Sequence, residues 1–131
     1  MKSKKLLSEF GTVVFALMLL GCKQSNNFTA FLSDEIGALG GNTNRIDHTL
    51  ALSGSWKISR DQFGVAIDTD GVRFTEVSNL LTSAYGEPTF YTGSNERHGV
   101  TYLYPVTNVG VSVFVASTKR GAEITLTKLQ R

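Results

Sequence analysis

The chain has 131 residues, with 13 Lys and Arg against 11 Asp and Glu and a formal net charge of +2 at neutral pH. That length makes one domain with a core of its own, and a single cysteine excludes an internal disulfide. The excess charge comes from Lys2, Lys4 and Lys5 against Glu9; from Cys22 onward the chain is formally neutral, with ten basic and ten acidic residues, and lacks the basic footprint of nucleic-acid binding.

Behind the basic head lies an apolar stretch of about 11 residues, Phe10 to Leu20. It is too short to cross roughly 30 Å of hydrocarbon as a helix, and it has the length of a secretory signal's hydrophobic region. It ends in Leu19-Leu20-Gly21-Cys22, an apolar residue three before the cysteine and a small one directly before it. This run resembles the lipobox of bacterial lipoproteins. The resemblance implies cleavage before Cys22, a diacylglyceryl thioether on its sulfur and acylation of the new amino group. It also implies a lipid-anchored location in the cell envelope. With Lys23 rather than Asp after the cysteine, that is the periplasmic face of the outer membrane in a Gram-negative host. In a Gram-positive host it is the outer face of the cytoplasmic membrane. The expected organisation is a signal peptide over 1–21, a lipidated Cys22 with a short polar tether over 22–27, and a single domain over 28–131.

Phe28, Phe31, Leu32, Ile36 and Leu39 recur near helical spacing, Asn27 can cap their start and Gly40-Gly41 supplies a stop, which predicts an N-terminal helix. Residues 49–59 alternate strictly, with Leu50, Leu52, Trp56 and Ile58 on one face, the mark of a half-buried strand. A turn at Arg60-Asp61-Gln62 and a second alternation, Phe63, Val65 and Ile67, predict a hairpin. Asp68-Thr69-Asp70-Gly71 reads as a turn. Val77, Leu80, Leu81, Ala84 and Tyr85 then predict the main amphipathic helix near 75–85, with Thr75 as cap and Gly86 in a left-handed stop before Pro88. Four strands follow, over 89–92, 100–104, 111–117 and 122–129. Their short connections make them an antiparallel meander. The expected fold class is α+β: an N-terminal hairpin and a C-terminal meander forming an antiparallel sheet under one main helix.

The run V-S-N-L-L-T-S-A-Y-G-E-P (Val77 to Pro88), followed by a meander containing Tyr102-Leu103-Tyr104, is similar to small envelope domains of the SmpA/OmlA type and to β-lactamase-inhibitor-like domains. The similar portion spans residues 72–129. A hairpin before the main helix departs from the SmpA/OmlA pattern, which has paired helices there, and no binding residue is carried over.

Catalytic constellations are missing from the sequence. There is no G-x-S-x-G, and the two histidines, His48 and His98, sit at loop or edge positions without an H-E-x-x-H or cysteine partners. Asp68 and Asp70 lack the remaining ligands and closing Glu of a calcium loop. No cofactor, metal or catalytic residue is therefore assigned. The candidate partner-binding residues are Tyr102 and Tyr104, one face of a strand, with Glu96, Arg97 and His98 in the 93–99 loop. If the helix covers the tyrosine face they are core instead. The functional expectation is a non-enzymatic interaction or accessory subunit, bound to the membrane through Cys22 and to a protein partner. An inhibitor or immunity-type binder of another protein, and a small-ligand-binding envelope protein, stay open as alternatives.

Overall fold

The computed structural model describes residues 22–25, 27–92 and 99–129. Seven strands form one sheet: β1 (Cys22–Ser25), β2 (Gly54–Arg60), β3 (Gly64–Asp70), β4 (Phe90–Thr92), β5 (Thr101–Leu103), β6 (Ser112–Ser117) and β7 (Ala122–Thr127). Their order is β1-β2-β3-β7-β6-β5-β4, and every neighbouring pair is antiparallel. The fold is α+β, as expected. Hairpin and meander are halves of one sheet, joined where Ile67 of β3 pairs with Ile124 of β7.

Helix α1 (Phe28–Ala38) starts at Asn27, whose side chain accepts the Ala30 N–H. It buries Phe28, Leu32 and Ile36 completely. It lies over β2, where Phe28 and Phe31 pack on Trp56 with ring centroids 5.0 and 5.1 Å away and Arg60 forks onto the Glu35 carboxylate. Helix α2 (Phe74–Tyr85) packs on β6 and β7 through Val77, Leu80, Leu81 and Ala84, all buried. A single turn, α3 (Val106–Val109), connects β5 to β6.

The core is the layer between these helices and one sheet face: Trp56, Val65, Ile67, Val113, Val115, Ile124 and Leu126 from the strands. Ile67 pairs with Ile124 and Val115 pairs with Ile124, so β-branched side chains meet side by side across the sheet.

Five local expectations are corrected. Cys22–Ser25 is not a tether but an edge strand, Cys22 opposite Lys57 and Ser25 opposite Gly54. The strand expected from residue 49 starts at Gly54, because the ladder with β3 ends at Ser55–Asp70 and the carbonyls of Leu50 and Leu52 serve α1 instead, accepting from Thr29 Oγ1 and the Phe28 N–H. The turn at 68–71 shifts to Gly71: β3 continues through Asp70 because the buried Thr69 hydroxyl donates to Val72 O (2.7 Å) and accepts the Ala122 N–H (2.9 Å). Helix α2 begins one residue early, with Arg73 at the cap position and the Glu76 carboxylate accepting its N–H at 3.0 Å. Gly86 ends the helix at φ 92°, ψ −178°. That is not the left-handed helical well but an extended region at positive φ that is essentially open to glycine alone.

Candidate functional site

The sheet has two unlike faces. Period-2 alternation and the register place Lys57, Asp68, Glu123, Ala116 and Thr101 in one row across it, and Ser59, Ala66, Thr125, Phe114 and Leu103 in the next. Both rows lie opposite the core layer, and among the described residues no helix covers them. Lys57, Ser59, Ala66, Asp68 and Thr125 are exposed. Phe114 stands 37% exposed near the middle of the second row. The first row carries Lys57, Asp68 and Glu123; the second carries no charge.

Two shallow depressions mark the ends of this open face. One, of about 150 Å³, lies beside the β2–β3 turn and is lined by Ser59, Phe63, Gly64, Ala66, Thr125 and Thr127, among others. The other, of about 200 Å³, includes Ser55, Lys57, Asp68, Asp70 and Arg120, and Arg120 lies 3.6 Å from the Asp70 carboxylate. Both are much smaller than a site that engulfs a drug-sized ligand. Among the described residues, no group of three His, Cys, Asp or Glu is placed to hold a metal ion, and no helix is long and apolar enough to cross a membrane.

Tyr104 is overturned as a partner contact. It is fully buried, its hydroxyl donates to Ser78 O at 3.0 Å and lies 3.2 Å from Thr82 Oγ1, and burial pushes its pKa up to about 12. Tyr102 is half-buried on the same side, its ring 4.9 Å from Phe74 and 6.4 Å from Tyr104. The helix therefore covers the tyrosine face, and Leu103 belongs to the open one. Tyr85 is a second buried phenol; its hydroxyl donates to Asn42 O at 2.5 Å, and desolvation again raises its pKa to about 12. Trp56 is 2% exposed, its indole N–H has no acceptor among the described residues, and the rings of Phe28 and Phe31 pack on it. His48 is exposed in the loop before β2. Glu96, Arg97 and His98 lie outside the described residues.

Cys22 opens β1, the strand at one edge of the sheet, and its register partner Lys57 belongs to the charged row of the open face. The residues of the open face were not singled out in the sequence, although a signal for which side is covered existed. In β7 the apolar set is Ile124 and Leu126, against Glu123 and Thr125, and the register links Ile124 through Val115 to Tyr102. No family model, curated protein or solved structure matches the chain.

Proposed function

We propose that this chain is a lipid-anchored cell-envelope protein whose domain acts by binding rather than by catalysis. The observation that carries the reading is the run Leu19-Leu20-Gly21-Cys22 after a basic head and a short apolar stretch. Signal cleavage before Cys22 leaves a mature chain in which the lipidated residue is the first residue of the sheet. Two or three acyl chains hold a protein stably on a membrane, whereas one holds it marginally.

The open sheet face is the interaction surface that best suits an accessory subunit. Phe114, Leu103, Ala66 and Thr125 form an uncharged strip bordered by Lys57, Asp68 and Glu123, the pattern of an apolar centre with a polar rim. The anchor is tested by Cys22→Ala: loss of metabolic acyl labelling and accumulation of the precursor support it, and normal processing contradicts it. The surface is tested by Phe114→Glu in a mild-detergent purification from the native host. A co-purifying protein that the variant loses supports the reading, and unchanged recovery of the same protein refutes a role for this face.

A further inference from the structure

We infer that the β2–β3 hairpin tip, with Phe63 at its apex, contacts the lipid bilayer beside the anchor, so that the domain stands on this tip. The inference rests on the lipid-anchor reading of Cys22 and adds to it the side of the domain that meets the membrane.

The first support is where the mature chain would begin. β1 runs from Cys22 opposite Lys57 to Ser25 opposite Gly54, so its starting end is directed toward the β2–β3 turn. With β1 paired to β2, no flexible leader separates acyl groups on Cys22 from the sheet. At a strand rise of about 3.3 Å per residue, Arg60 lies about 10 Å beyond Lys57 toward the tip. The turn at 61–63 projects beyond Arg60, so Phe63 reaches at least as far as the roughly 5–10 Å that interfacial apolar groups sink into the headgroup boundary.

The second support is how the tip is built. Phe63 is 48% exposed, more than any other large apolar side chain among the described residues. Its backbone is nevertheless fully engaged. Asp61 Oδ1 accepts the N–H groups of Phe63 (2.7 Å) and Gly64 (3.0 Å), and the Phe63 carbonyl accepts the Lys128 N–H at 2.7 Å. The turn thus holds a phenyl ring outward on a fixed backbone, and Phe is among the apolar side chains that interfacial segments bury at the headgroup–acyl boundary.

The third support is charge. The Asp61 carboxylate at the tip is turned onto backbone N–H groups, and Lys128, exposed beside it, offers a cation to lipid phosphates. Farther along the open face, Asp68, Asp70 and Glu123 stand against Lys57 and Arg120, the latter 3.6 Å from the Asp70 carboxylate. Anionic headgroups therefore disfavour a flat placement of the sheet and favour the tip.

The test uses the full lipidated chain in phosphatidylcholine–phosphatidylglycerol vesicles with brominated acyl chains. Phe63→Cys, and Leu50→Cys in the loop that precedes β2 as control, each introduce a single thiol, because the only native cysteine is consumed by the anchor. Each thiol is labelled with the same environment-sensitive fluorophore, and the mass of the protein reports acylation. A blue-shifted emission quenched by the brominated lipid at position 63, against a water-like and unquenched one at position 50, supports the inference. Water-like emission at both positions, or equal quenching at both, in acylated protein overturns the tip placement alone. An unacylated Cys22 overturns the anchor and the tip placement together.

Discussion

The Tyr104 hydroxyl sits in a pocket made by α2, donating to Ser78 O and lying against Thr82 Oγ1. Removing it deletes both contacts, so Tyr104→Phe is expected to lower stability by about 1–2 kcal/mol, measured by chemical denaturation. Tyr104 and Tyr85 also define an alkaline limit. Their folded-state pKa values of about 12 exceed the ordinary 10.0, so above pH 10 the native state binds more protons than the unfolded chain. Stability is complete below about pH 10 and falls as pH rises from there through about 12. Thermal unfolding followed across pH 8–12 should show that decline, and Tyr104→Phe should flatten it; an identical decline in the variant would assign it elsewhere. By contrast, Phe114 is exposed and packs into no core, so Phe114→Glu should leave stability within about 0.5 kcal/mol of the original. Any loss of partner binding in that variant is then a surface effect.

At the scale of elements, two glycines do work that side chains cannot. Gly86 stops α2 at φ 92°, and Gly86→Val should cost roughly 1–3 kcal/mol through backbone strain. In β3, a Cβ on Gly64 would lie 2.0 Å from the Leu126 carbonyl oxygen. Gly64→Ala must therefore push β3 and β7 apart and should cost about 1–3 kcal/mol or more. A melting temperature unchanged by either substitution would contradict the corresponding geometry. Helices α1 and α2 and the β-strands of hairpin and meander were legible from apolar spacing, because α1, α2, β3 and β7 each bury one regular stripe, whereas the single turn α3 was not. β1 was not legible: Cys22-Lys23-Gln24-Ser25 has no alternation and little strand propensity, and it is a strand because β2 offers it a free edge. The end of β3 was misread because Asp-Thr-Asp-Gly has turn composition. The Ala122 N–H that the buried Thr69 hydroxyl accepts lies 53 residues away in sequence, so local composition could not reveal it.

At the scale of the whole molecule, pairing of β3 with β7 joins the two halves into one sheet with a covered face and an open one. Alternation shows which residues share a face, but the face that the helices choose depends on this long-range register. That is why the tyrosines could be grouped from sequence while their burial could not. In the resulting sheet the N-terminal strand β1 starts on the side of the β2–β3 turn. Inserting a flexible Gly-Ser segment between Cys22 and Lys23 should therefore leave acylation intact and weaken quenching at position 63. Quenching unchanged by the insertion would show that the tip binds lipid without help from a short anchor.

Lipidation at Cys22 is decided by the intact mass of the protein extracted with detergent from the membranes of its own host. The expected mass is that of a chain that begins at Cys22 and carries a diacylglyceryl group on that residue, with or without a further acyl group on its amine. A chain that still begins at Met1, or an unmodified Cys22 in a processed chain, would contradict it.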